Sequence, residues 1–218
     1  MTTRWYRFNK RALDLAVAAP LALLSLPVQA VVALAVGLRL GRPILFRQVR
    51  PGLHAQPFTL LKFRTMHHLD PARGRVDDAS RLDGFGAWLR ASSLDELPSL
   101  WNVVRGDLSL VGPRPLLVSY LQRYSPEQAR RHDVPPGLTG LAQVNGRNAT
   151  TWEERLRWDV AYVDRACMRL DLHILARTVG IVLSRHGVNA PGEATMPEFQ
   201  PQPCEVAPVR IGAVQEVS

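Results

Sequence analysis

Adjacent carboxylates at Asp95 and Glu96 lie in a stretch, residues 93–115, that also holds Arg105, Asp107 and a rigid Gly112-Pro113-Arg114-Pro115 turn. A carboxylate pair can bind Mg²⁺ or divide into a nucleophile and its helper, and a guanidinium on a stiff loop suits a bidentate grip on phosphate. Acid and base gathered in one short helix and loop therefore suggest phosphate chemistry. A purely structural explanation fits the same residues: Ser93 bonding forward and Glu96 bonding back would form a capping box. Pro98 would remove a needed N–H from a helix capped by Ser93, whereas a helix capped by Asp95 tolerates it. Spacing alone leaves capping and chemistry evenly weighed.

The elements that must position these residues follow from pattern. A helix over residues 95–105 would put Leu97, Leu100, Trp101 and Val104 on one broad apolar face and so hold the carboxylates in place. Residues 43–50 and 57–66 read as extended segments around a Pro51-Gly52 turn. Alternation there puts Lys62 and Arg64 on one face, which could meet an anionic substrate or simply be solvated. Residues 80–90 have helical content, with Phe85, Trp88 and Leu89 as packing residues. Ser125, Pro126 and Gln128 make a strong helix start, and residues 151–154 repeat the capping-box pattern ahead of a helix to residue 165. Between them residues 136–147 are rich in turn formers and end on a second rigidly placed cation, Arg147. Asp171 would cap a last helix over residues 172–185, closed by His186-Gly187. Residues 191–218 are proline-dotted and read as a largely disordered tail.

Composition bounds the partners. The 218 residues are 46% hydrophobic, enough for one good core, with a formal charge of +8 that invites an anionic partner. Nucleic acid, an anionic membrane surface and a phosphorylated substrate all answer that description. Cys167 and Cys204 are too few for a disulfide scaffold, a zinc knuckle or an iron–sulfur site, and the histidines lack the helix spacing of zinc hydrolases.

Residues 15–38 contain no charge, and as helix they would run ~36 Å, enough for a bilayer core of about 30 Å. Arg4, Arg7, Lys10 and Arg11 precede this segment, and Arg39, Arg42, Arg47 and Arg50 follow it. The positive-inside rule would hold both flanks on the cytoplasmic side, which a re-entrant hairpin allows and a straight crossing does not. Pro27 supplies a bend near the middle, with the Ser25 hydroxyl available to backbone groups freed there. A single-pass helix and a signal peptide cleaved after Ala30 are the competing explanations.

With these residues assembled, the sequence resembles the bacterial sugar transferase family, the monotopic phosphoglycosyl transferases that load a first sugar phosphate onto a polyprenol phosphate carrier. Lys10-Arg11, the apolar segment, residues 47–52, residues 62–66, residues 93–115 and residues 136–147 carry the likeness in order. It is similar to the minimal form of the family. The resemblance implies an α+β fold: a mostly helical single catalytic domain (residues 41–189) with a short β-hairpin, an N-terminal re-entrant membrane helix (residues 1–40) and the tail (residues 190–218). It implies that Asp95 attacks the β-phosphate of a UDP-sugar, expelling UMP and leaving a covalent phosphosugar that polyprenol phosphate then takes. Glu96 would complete the dyad, and both carboxylates would hold Mg²⁺. Arg114 and Arg147 would grip phosphate or nucleotide, with Lys62, Arg64, Arg90, Pro113 and Gln143 around them. Ser25 and Pro27 would form the membrane break, although this chain has Leu26 where family members often carry serine before the bend proline. The implied partners are UDP-sugar, polyprenol phosphate and membrane lipids, with no nucleic acid, a homo-oligomer left open, and the catalytic domain on the cytoplasmic face of the bacterial inner membrane. The alternative from a different class is a non-enzymatic, membrane-anchored basic adaptor.

Overall fold

The computed structural model describes residues 4–146, 151–184 and 198–200. The chain opens with two helices, α1 (Arg4–Leu24) and α2 (Leu26–Arg39), bent by 57° where they meet. The break falls at Ser25, two residues before Pro27, because a proline at the start of α2 lacks the N–H that Leu23 would need and its ring crowds that carbonyl. The Ser25 hydroxyl donates to the Ala22 carbonyl at 3.1 Å, and the Gln29 amide donates to the Ser25 oxygen at 2.9 Å, so side chains satisfy the backbone at the bend. No single described helix is long and apolar enough to cross a membrane, but the bent pair together has that length and composition.

The expected hairpin forms from β1 (Leu45–Pro51) and β2 (Pro57–Phe63), antiparallel, with Arg50 opposite Phe58 and Phe46 opposite Lys62. The helical stretch expected over residues 80–90 is two helices, α3 (Asp78–Arg81) and α4 (Gly84–Ala91). Asp77 and Asp83 cap them separately, each accepting a backbone N–H at 2.8 Å, which is why the run breaks. After a 3-10 turn, α5 (Ser99–Arg105) lies across the hairpin. Asn102 receives the Leu61 N–H at 3.0 Å and donates to the Thr59 carbonyl at 2.8 Å, and Ser99 donates to the Leu61 carbonyl at 2.6 Å. One face of α5 thus acts as a partner strand for β2 and fixes the helix relative to Lys62.

Beyond α5 the structure adds a feature absent from the expectation. Strands β3 (Ser109–Val111) and β4 (Gly137–Thr139) form a second, parallel pair, with Ser109 opposite Gly137 and Val111 opposite Thr139. The crossing is tight: a Cβ on Gly137 would lie 2.1 Å from the Gly112 nitrogen, so only glycine fits. The short helix α6 (Pro126–Ala129) has the capping box read from Ser125 and Gln128. Next come α7 (Leu141–Asn145), α8 (Trp152–Arg165) with the Thr151–Glu154 capping box, and α9 (Met168–Ser184).

The core joins α1 to the body. Ala18 and Ala22 pack with Leu60, Leu100, Val103, Leu108, Tyr162 and Ile174. Asp171 does not cap a helix, as spacing suggested. It lies within α9, fully buried, and accepts from Lys10 Nζ and Tyr6 Oη at 2.9 Å and from Tyr162 Oη at 2.7 Å. Arg11 donates to the carbonyls of Val103 (2.6 Å) and Val104 (2.8 Å) near the C-terminal end of α5, and Asp14 accepts from Ser109 Oγ at 3.0 Å. Within the stretch expected to be a loose tail, Phe199 is buried among Leu116, Tyr120 and Leu156, and Glu198 pairs with Arg123 at 2.8 Å.

Candidate active site

Asp95 and Glu96 sit on the 3-10 turn Leu94–Glu96, and neither capping arrangement forms. Ser93 adopts a left-handed conformation (φ 57°) and makes no cap bond, while Pro98 stands at the start of α5. The adjacent carboxylates are thus not explained as helix caps. A non-glycine residue at positive φ just before them is a local cost of the kind that gathers at functional sites.

Two separate elements converge on Glu96. Lys62, near the end of β2, donates to Glu96 Oε1 at 2.5 Å, and Arg114, on the loop after β3, donates to the same oxygen at 2.7 Å. Asp95 is the more deeply buried of the pair. Desolvation first, and the Glu96 charge second, raise its pKa from 3.8 to about 6, against the pull of Lys62, Arg114 and Arg90. Glu96 is pushed the other way, well below the ordinary carboxylate range: its own burial opposes ionisation, but Arg114 and Lys62 outweigh it. Two neighbouring carboxylates therefore have different tendencies, one firmly ionised and clamped, the other ionising only near pH 6 and without a clamp of its own.

Arg114 is itself held from behind. Arg131 and Asp159 form an ion pair at 2.7 Å with both side chains almost wholly buried, and Arg131 also donates to the Arg114 carbonyl at 2.7 Å. Sequence pattern gave no sign of this support, since the pair joins a 3-10 turn (Arg130–His132) to α8 and only the fold brings them together. On the other side, the Pro113 carbonyl accepts the Gly137 N–H at 2.9 Å, which ties the Arg114 loop to β4.

The remaining candidates divide. Arg90 donates to Thr65 Oγ1 at 3.0 Å and lies near enough to favour the ionised form of Asp95. Gln143, on α7, has both amide heteroatoms buried without a hydrogen-bond partner, and its oxygen lies 2.8 Å from where a Cβ on Gly140 would stand. Such an amide is costly unless something else completes it. Arg64 does not join the site: its guanidinium is buried against the carbonyls of Leu40, Gly41 (2.5 Å) and Arg42 (3.2 Å), where it closes the carbonyl end of α2. β2 ends at Phe63, although the Arg64 N–H still bonds to the Ile44 carbonyl at 3.0 Å, and it is the side chain that is drawn off to the carbonyl end of α2. Arg147 lies outside the described residues.

Among the described residues no group of three His, Cys, Asp or Glu side chains could hold a metal ion. The dyad offers two carboxylates, which suits Mg²⁺ of the kind that draws the rest of its shell from substrate phosphates and water, and does not suit a fully protein-held ion.

A family model described as bacterial sugar transferase matches residues 5–185. The chain is 52% identical over 165 residues to an uncharacterised sugar transferase of Bacillus subtilis, covering 75% of this chain and 82% of that one. It is 44% identical over 188 residues to a UDP-glucose:undecaprenyl-phosphate glucose-1-phosphate transferase of Caulobacter vibrioides, covering 81% of this chain and 70% of the relative. A protein of the same name from Escherichia coli is 36% identical over 79% of this chain, which spans 40% of that longer protein. The dyad, its two cationic clamps and the bent helical pair thus lie within a match that runs almost the whole described length, and the chain belongs to the bacterial sugar transferase family.

Proposed function

We propose that this protein transfers a sugar-1-phosphate from a UDP-sugar to a membrane polyprenol phosphate, with Asp95 as the covalent nucleophile. The observation that carries the reading is the asymmetry of the dyad. Asp95 is buried and unclamped with its pKa near 6, while Glu96 is fixed by Lys62 and Arg114. A nucleophile needs an available lone pair and must not be locked in an ion pair; its helper needs to stay charged. An Asp95 carboxylate oxygen would attack the β-phosphorus, and the bond from that phosphorus to the bridging oxygen would break, with UMP leaving with the electron pair. An oxygen of polyprenol phosphate would then attack the same phosphorus and release Asp95, giving polyprenyl-diphosphate-sugar. Lys62 and Arg114 would neutralise the non-bridging oxygens during both displacements. Mg²⁺, held by Asp95 and Glu96, would offset the repulsion between an anionic nucleophile and a diphosphate. The unpartnered Gln143 amide and the Pro113 loop would line the nucleotide side.

The outer faces of α1 and α2 support a membrane location. Leu23, Leu24, Val31, Leu34 and Leu38 are each more than half exposed on these two helices, and large apolar side chains gathered on exposed faces are the kind that mark interaction or membrane surfaces. With basic residues on both flanks and a 57° bend, the pair suits a re-entrant anchor that keeps the body on the cytoplasmic face of the inner membrane.

Purified protein mixed with Mg²⁺, polyprenol phosphate and a panel of UDP-sugars beginning with UDP-glucose should release UMP. Asp95→Asn should abolish release, and a phosphosugar should be trapped on the parent protein when lipid is withheld. Absence of UMP with every sugar, or undiminished release by the variant, would defeat the proposal. The adaptor reading predicts instead that Asp95→Ala and Glu96→Ala leave function untouched.

A further inference from the structure

Arg50 lies near the end of β1, in the residue 47–52 stretch, and has no part in the site described above. Its Nη2 donates to Gln48 Oε1 at 2.5 Å, its Nη1 reaches the Pro115 carbonyl at 3.4 Å, and its Nε is buried with no partner. Both acceptors are neutral, and among the described residues no carboxylate pairs with it. Pro115 follows Arg114 directly, so the two guanidiniums share one loop. Burial, then repulsion from Arg114, lowers the Arg50 pKa to about 10. A partly desolvated cation placed against another cation without a counter-charge is a net cost to the fold. A tie between β1 and the Arg114 loop does not account for it, since a neutral donor would make the same long bond without the repulsion.

The hairpin register gives the arrangement a direction. Phe46 faces Lys62 and Arg50 faces Phe58, so Lys62 and Arg50 share the face on which Leu60 is buried. They stand about 13 Å apart along the sheet at roughly 3.3 Å per residue. Glu96 and Arg114 connect them: Lys62 touches Glu96, Glu96 touches Arg114, and the residue after Arg114 touches Arg50. The result is a row of three cations that begins at the dyad and ends at a guanidinium with an unused donor.

We propose that Arg50 is a further substrate ligand, binding the phosphate that stays with the nucleoside, which is the α-phosphate of the UDP-sugar and then the phosphate of UMP. This rests on the function proposed above. When the bond between Asp95 and the β-phosphorus forms and the bridging bond breaks, the bridging oxygen departs with the electron pair, so negative charge gathers on the phosphate furthest from Asp95. Lys62 and Arg114 are committed to Glu96 and to the transferred phosphoryl group. Arg50 lies at the far end of the row, with a buried Nε still able to donate.

The test uses the full chain in detergent or nanodiscs, with Arg50→Gln and Arg50→Lys. For Arg50→Gln, the ligand-free melting temperature should stay level or rise, because a repulsive cation is gone. The stabilisation by UMP should fall by at least half, and KM for the UDP-sugar should rise about tenfold, the loss of roughly 1.4 kcal/mol of binding. KM for polyprenol phosphate should change less than about twofold, and Arg50→Lys should recover part of the nucleotide effect. An unchanged UMP shift overturns the proposal, as does a defect confined to the lipid substrate. A lowered ligand-free melting temperature overturns it in favour of a structural tie. If UMP fails to stabilise the parent protein, the nucleotide-sugar reading itself falls and takes this assignment with it.

Discussion

Replacing the proposed nucleophile should make the protein more stable, and the size of the effect follows from its burial. Asp95 has a folded pKa near 6 against an ordinary 3.8, so ionising it in the fold costs about 2 pK units at about 1.4 kcal/mol each, or about 3 kcal/mol. The sign runs with pH: below the unfolded value the carboxyl is protonated in both states and costs nothing. As pH rises through about 6 the folded state must give up a proton it holds more tightly than the unfolded chain does, and stability is lost. Asp95→Asn removes that ionisation. At about pH 7.5, and allowing for burial of an amide in place of the carboxyl, it should gain about 2 kcal/mol, which for a chain of this size is about 4–8 °C in melting temperature. At about pH 4.5 most of the gain should vanish, because the parent carboxyl is then protonated too. Thermal melts of parent and variant at both pH values, alongside UMP release, make the assay. A variant less stable than the parent at the higher pH, or equally stabilised at both, refutes the reasoning. In the parent, UMP release should rise with pH through about 6 as Asp95 ionises.

Two further outcomes probe the supports. Asp159→Ala leaves Arg131 buried and unpaired and should cost about 3–5 kcal/mol in chemical denaturation, whereas a joint Arg131→Met, Asp159→Leu replacement should recover most of that loss. Even the recovered protein should turn over slowly, because Arg131 no longer holds the Arg114 carbonyl. Phe199→Ala removes an aromatic anchor among Tyr120, Tyr124 and Trp152, worth about 3 kcal/mol of local docking, and should speed hydrogen exchange in the Val118–Arg123 turn. Unchanged exchange there would show that the contact does not order the turn.

What could be read from the sequence was what local chemistry decides. The capping boxes at Ser125 and Thr151 formed as their spacing indicated, because both partners lie within one turn of each other. The hairpin appeared because its two strands adjoin through one short connection between Pro51 and Pro57. The helix expected from residue 95 did not begin there, since Ser93 takes a left-handed conformation and Pro98 defers α5 to Ser99, an outcome set by the surroundings of the turn. Pairings across the chain were hidden: Asp171 looked like a cap and is the buried acceptor for Lys10, and β3 with β4 was too short and too separated to recognise. In the site, Asp95, Glu96, Lys62 and Arg114 meet although they come from different elements, and it was the family resemblance, not spacing, that grouped them. Arg64 shows the limit of alternation, which assigns a residue to a face and does not say which acceptors a long side chain will find, here the carbonyls of Gly41 and Arg42.

The way α1 enters the core has a practical consequence for handling the protein. A chain shortened to begin at residue 41 would lose Lys10, leaving Asp171 to Tyr162 alone, and would strip Ala18 and Ala22 from the core. Such a chain should collapse or aggregate, so the first helices cannot be discarded to obtain a detergent-free enzyme, nor exchanged for a foreign membrane segment. A route to solubility lies instead on their outer skin, where Leu24, Val31, Leu34 and Leu38 contact little of the body and could be recoded as polar residues. The height of Asp95 above the proposed membrane surface is likewise set by rigid packing of α1 on α5, with no tether to lengthen or shorten.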